Sequence, residues 1–327
     1  LFGDVPNSLE KFIAVGLLLT LAAVHSTNHR NSGRTQTVFT TLKVLVILLF
    51  IVASLTVVTT PQPISFLPKV GDVQLITSGA FAVALIYVSF AFSGWNAATY
   101  LSSEIEHPQK TLPLVLISGT SIVTLLYLGL NYVFLYTTPI DSMIGEVEVG
   151  AIAARTIFGE VAGNLFGLAL ALLLISTVSA MTMAGPRVIQ VVGEDFPKLS
   201  FLGQRNASGI PARSIFLQSA IAIIFIVSST FESVLVFAGF TMALNTFASV
   251  LGLFVLRIRQ PSLTRPYRAF LFPLTPLIFL TLTGWTLTFT LLMRPVEVLF
   301  SFGVIGIGLV FYYLTASRDN ISTGKDG

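Results

Sequence analysis

The sequence contains no cysteine and only three histidines, at positions 25, 29 and 107. The missing thiols say nothing about redox compartment, because a helical bundle in lipid needs no disulfide staples. His25 and His29 have neither a cysteine nor a nearby carboxylate to complete a metal site. Residues 25–33 therefore read as a solvated turn, and no metal or cofactor is expected. Charge is equally scarce. Asp, Glu, Lys and Arg make up 10% of the chain, against roughly 25% in soluble domains. No carboxylate lies deep in the apolar runs, and the histidines fall between them. That leaves no paired acids and no nucleophile–histidine set for a membrane-embedded enzyme. Strict apolar–polar alternation is missing, which excludes a porin-like barrel. A repeated pore segment and rings of charge are missing too, which argues against an ion channel. The chain opens on Leu1 with no initiator Met and no signal peptide ahead of its first apolar run, so it is expected to be truncated.

What the sequence does have is hydrophobic length. Apolar residues make up 54% of the chain, in nine runs near 9–25, 37–59, 76–103, 112–136, 162–186, 212–229, 231–256, 269–292 and 296–316. About 20 apolar residues span a bilayer as helix, so the expectation is an all-α membrane protein of nine spans. An odd number puts the two ends on opposite sides. If the loop after the first run is cytoplasmic, thirteen of the 18 basic residues lie inside, Arg30, Arg34, Lys110, Arg187 and Arg257 among them. Only Lys11, Lys69, Arg155 and Arg294 lie outside. This positive-inside bias places the amino end outside and the carboxyl end in the cytoplasm. Basic residues scattered over several loops make no nucleic-acid surface. The expected surroundings are a lipid bilayer, at the plasma membrane.

The third run is the unusual one. It reads YVSFAFSGWNAATYLSSEIEHPQKTLP from Tyr87 to Pro113, with Ser93-Gly94 in its middle. Glycine in a helix interior costs about 1 kcal/mol relative to alanine. Phe90, Phe92 and Trp95 surround it, and Ser93 and Asn96 flank it. The combination predicts a helix interrupted at membrane depth, where irregular backbone survives only against protein or a cavity. A first half ending near Phe90 to Ser93 turns carbonyls, the negative end of the helix dipole, toward a cation such as an α-ammonium group. A second half starting near Asn96 offers free N–H groups to an anion or a capping side chain.

Lys43 is the only basic residue deep in an apolar run. Nine residues at about 1.5 Å each set it roughly 13 Å along a helix from Arg34. Two readings stand at this point. It snorkels back to the headgroups, or it faces the bundle interior, where it needs carbonyl or hydroxyl partners.

Four stretches resemble the amino acid–polyamine–organocation superfamily, and within it the L-type amino acid transporters and their bacterial relatives. Arg34-Thr35-Gln36 with Phe39 and Lys43 resembles the start of that family's fifth helix. Phe90-Ala91-Phe92-Ser93-Gly94-Trp95-Asn96 resembles the unwound middle of its sixth. Glu104, His107-Pro108 and Leu112-Pro113 resemble the cytoplasmic signature that follows, and Leu256-Arg257 to Pro261 with Arg265-Pro266 resembles the end of the tenth. The resemblance implies twelve helices in an inverted-repeat fold of the LeuT type. This chain would hold helices four to twelve and lack the first three, which carry the carboxylate-binding half of the site. Residues 9–59 would end the first repeat, 73–257 would form the second inverted repeat, and 258–327 would add two further helices.

The resemblance also implies a function: secondary transport of amino acids, neutral ones in the first instance, by alternating access, as permease or antiporter. Cationic amino acids or polyamines are the alternative. A proton partner and a partner subunit are left open. By resemblance, the carbonyls of Phe90, Ala91 and Ser93 receive the substrate ammonium, Gly94 permits the unwinding, and Asn96 bonds substrate or braces the backbone. The Phe90 ring closes as an outer gate, while Trp95 packs. Lys43 stands as a fixed cation where sodium-coupled relatives hold the ion, with Ser176, Thr177 and Ser179 of the eighth family helix as candidate partners. Glu104 and Arg187 would form an inner latch. Thr241 and Asn245 are read as packing residues. The segment AIAARTIFG within 139–163 is expected to form a short helix, and 188–211 an amphipathic helix and loop.

Overall fold

A computed structural model of the chain describes residues 7–27, 32–96, 98, 105–265, 267 and 269–315. Among them every regular element is helical. In chain order these are α1 (Asn7–Thr27), α2 (Ser32–Val57), α3 (Asp72–Ile76), α4 (Gly79–Ala91), α5 (Pro108–Thr137), α6 (Val149–Ala184), α7 (Pro186–Asp195), α8 (Ser200–Gly203), α9 (Ala212–Ser228), α10 (Phe231–Arg259), α11 (Leu274–Met293) and α12 (Pro295–Thr315). Seven helical stretches among the described residues are long and apolar enough to cross a membrane, and two shorter apolar helices, α4 and α9, join them. Large apolar side chains stay exposed on these helices, such as Leu49, Leu172 and Ile307. A helix apolar on its outward face suits contact with lipid.

The chain divides into two compact units, each described by itself. The first comprises Leu1–Leu67 and Ile117–Ile224, the second Pro68–Leu116 and Phe225–Gly327.

The core of the first unit is aromatic. The Phe50 ring stacks on Phe166 at 4.5 Å between centroids and meets Phe134 and Phe158 at 6.1 Å. Val133, Ala153 and Ala154 close the cluster without exposure. The expected short helix is present as the first ten residues of α6. It folds back at Gly159, where φ 78° and ψ 173° break the helical run, a backbone that a side chain disfavours. A second small cluster of Ala22, Ile210 and Ile215 joins α1 to the start of α9. The 188–211 segment forms α7, a 3₁₀ turn and α8.

In the second unit Phe240, Leu287 and Val298 form the core. Helix α4 packs against α10 and α11. Gly239 of α10 makes this close approach possible: a Cβ there would stand 2.7 Å from Ile86 Cγ2 and 3.7 Å from the Phe90 Cβ. Thr241 donates to the Phe237 carbonyl at 2.8 Å and to Ser301 Oγ at 3.1 Å, bracing α10 on α12.

One local reading changes. Of residues 25–33, expected as a turn, 25–27 continue α1 and 32–33 open α2, while 28–31 lie outside the described residues. Ser26 and Thr27 return their hydroxyls to carbonyls three or four residues back. Polar residues in a last helical turn can therefore satisfy themselves without ending the helix.

Candidate functional site: an interrupted helix and a lysine inside a span

Helix α4 is capped by Ser78, whose Oγ accepts the Phe81 N–H at 3.2 Å, and it stops at Ala91. Residues 92–96 are turns, and Ala98 is helical again. Gly94 has φ +100°, with nothing within 4 Å of where its Cβ would be. The requirement for glycine there is conformational rather than spatial. The stretch does not simply expose bare oxygens. Ser93 N–H donates to the Phe90 carbonyl at 2.9 Å, tightening the last turn, and Trp95 O accepts the Ala98 N–H at 3.2 Å. A carbonyl has two lone pairs, so Phe90 keeps capacity for a second donor.

Around this turn Phe90, Ser93, Gly94 and Asn96 are half-buried and Ala91 is exposed. Trp95 is 48% exposed. Of the expected latch, Arg187 is the second residue of α7 and half-buried, while Glu104 lies outside the described residues.

The first unit holds the lysine. Lys43 Nζ, on α2, donates to Thr177 Oγ1 on α6 at 2.7 Å, the length of a charge-assisted bond. The two neighbouring hydroxyls are placed otherwise. Ser176 is buried, and its Oγ has no hydrogen-bond partner among the described residues. Ser179 Oγ lies 2.7 Å from His25 Nε2 on α1. The helix period explains the split. At 3.6 residues per turn, Ser176 sits about 100° and Ser179 about 200° around the axis from Thr177, so one helix can serve Lys43 on one side and His25 on another.

His25 was not singled out from sequence as a contact residue. The signal was in the spacing: Leu18 and Ala22 are buried on α1, and His25 continues that stripe at the next i, i+3 step. Asn206 also ties this end of α1 down. Its Nδ2 donates to the Ser26 carbonyl at 2.9 Å, and its Oδ1 accepts from the N–H groups of Ser208 and Ile210 at 3.0 Å.

The comparisons with known proteins agree with one another. The profile of the amino acid permease family matches residues 1–317. Over 312 residues the chain is 25% identical to the b(0,+)-type amino acid transporter 1 of Mus musculus, a match covering 94% of this chain and 63% of that protein. The Homo sapiens transporter of the same name is 25% identical over 315 residues, with the same coverage. The large neutral amino acids transporter small subunit 2 of Oryctolagus cuniculus is 26% identical over 327 residues, covering 94% of this chain and 58% of that protein. The chain thus spans between 58% and 63% of the length of these relatives.

Proposed function

The chain belongs to the amino acid permease family, and on that premise we propose that the protein is a secondary carrier moving amino acids across the plasma membrane by alternating access. The observation that carries this reading is the interruption of an apolar helix at residues 92–96, with Gly94 at positive φ. Such a break joins a helix carboxyl end, which favours cations, to irregular backbone where a small zwitterion can exchange hydrogen bonds with main chain. The carbonyls of Phe90, Ala91 and Ser93 take the ammonium group, Phe90 serves as gate, and Asn96 braces the unwound segment.

Lys43 works as a built-in cation. Its ammonium group is anchored by the Thr177 hydroxyl, so the proposed cation is a fixed side chain rather than a dissociable ion. Neutral amino acids are the proposed substrates, supported by the lack of a carboxylate deep in the apolar runs and by the similarity to a carrier named for large neutral amino acids. The distribution of Lys and Arg supports a cytoplasmic carboxyl end. Residues 73–257 are proposed as an inverted repeat of the fold.

The test is uptake by the full-length protein in proteoliposomes with a panel of amino acids, with and without a pH gradient. Saturable uptake with counterflow is the expected result. Single-channel currents without saturation would replace the carrier by a pore.

A further inference from the structure

Tyr87 stands on α4 one helical turn before Phe90 and Ala91, at the i, i+3 and i, i+4 spacing that shares a face. Its hydroxyl donates to Glu232 Oε1 at 3.1 Å. Glu232 is in the first turn of α10, and the same oxygen receives a guanidinium nitrogen of Arg294. Arg294 follows the end of α11 and lies 3.7 Å from Glu297 Oε1 in the first turn of α12. Ser233 Oγ, next in sequence to Glu232, donates to Glu297 Oε1 at 3.5 Å. One polar set within the second unit therefore ties the interrupted helix to three other helix ends.

The helix ends account for the charged members alone. Acids in first turns and a basic residue after a carboxyl end suit the helix dipoles, and α10 to α12 would gain from them without α4. Tyr87 has no such reason to be there. It sits in the second half of an apolar helix, and its phenol must find a partner once it leaves water.

Resting on the transport reading, we propose that Tyr87 is a positioning residue, whose bond to Glu232 sets how the α4 half-helix presents Phe90 to Ser93 to substrate. Helix α4 has 13 residues, and isolated helices below about 12–15 residues are marginal. The turn at 92–96 also uncouples α4 from a continuous rod. Its pose is then left to side contacts. The apolar ones, Ile86 and Phe90 on Gly239, hold it close but are non-directional. The Tyr87–Glu232 bond is directional and resists rotation of α4 about its own axis. Because Arg294 shares the Glu232 oxygen, it fixes the acceptor in turn.

The experiment uses Tyr87→Phe, Glu232→Ala and the double variant of the full-length protein. Tyr87→Phe removes one hydroxyl and is expected to fold. In proteoliposomes it should raise KM about fivefold with Vmax little changed, as lost ground-state positioning does. The double variant should be no worse than Glu232→Ala alone, because either change removes the same Tyr87–Glu232 bond. A second readout does not need transport. Residues 1–327 contain no cysteine, so with any cysteine outside them replaced, Ala91→Cys, at an exposed position, reports the pose of α4 through its rate of thiol labelling. Adding Tyr87→Phe should change that rate severalfold with the melting temperature unmoved. An unchanged labelling rate, additive effects in the double variant, or a fall in stability with KM intact would each overturn the positioning role. Absence of saturable uptake by the wild type, with the labelling change present, would sink the transport reading and leave the tether standing.

Discussion

A lysine amine inside an apolar span needs a reason to stay. Insertion of a charge at the bilayer centre costs about 2.5–3.5 kcal/mol, and a hydrogen bond to a charged group returns about 1.5–3 kcal/mol. The 2.7 Å bond from Lys43 to Thr177 is such a return, and it links α2 to α6 where apolar contact alone would be unspecific. Lys43→Ala is expected to leave the fold intact and cut uptake at least about tenfold, the rate equivalent of the lower end of that range. Thr177→Val should fall between it and wild type, while Thr177→Ser should resemble wild type. Melting curves beside initial uptake rates provide the check, and wild-type uptake in Lys43→Ala would return the residue to the snorkelling role. From the sequence, the depth of Lys43 and the presence of three hydroxyls on one later helix were legible. Which hydroxyl it meets was not, because a phase error of one residue rotates a helix by about 100°. Ser179 is engaged by His25, a pairing across 154 residues that no local pattern announces.

At the level of the element, the interruption of the third apolar run followed from one glycine among aromatics and short polar side chains. Gly94 meets nothing where a Cβ would be, yet its φ is +100°. Replacement by alanine therefore tests backbone strain without a clash. Left-handed backbone costs an ordinary residue about 1–2 kcal/mol, and asparagine tolerates it better than alanine. Gly94→Ala should lower stability by that amount and weaken uptake, with Gly94→Asn retaining more of both, as thermal melts and uptake on the two variants would show. Equal behaviour of the two would mean that the turn does not need this conformation. The place of the break was legible to within a residue or two because glycine and serine disfavour helix locally. The hydrogen bond from Ser93 back to Phe90 was not, because the way a helix end tightens depends on where the chain must go next. The fold-back at Gly159 is of the same kind. The short helix before it was legible, but the backbone at the fold-back was not, because it depends on the packing of Ala153 and Ala154 on Phe50 and Val133.

For the molecule as a whole, the lack of native cysteine in this chain offers a direct test of orientation. Glu146 and Ser200 are both exposed, and the basic-residue bias assigns them to opposite sides of the membrane. In sealed vesicles of known orientation, a membrane-impermeant thiol reagent should label Glu146→Cys from outside only and Ser200→Cys from inside only. Labelling of both from one side would overturn the arrangement of spans. The same bias underlies the proposed cytoplasmic carboxyl end, so this one measurement bears on both.

Composition and run length alone determined that this chain is a helical membrane protein, because about 20 apolar residues in sequence have few other stable homes than a bilayer. A single glycine in the right company determined where one of those helices fails, because backbone preference is local. Tertiary structure decided the partners: Thr177 for Lys43, Ser179 for His25, Glu232 for Tyr87. The reason is that a partner is set by the rotation and depth of two helices at once. Apolar sequence leaves both nearly free, and only packing one helix against another removes that freedom.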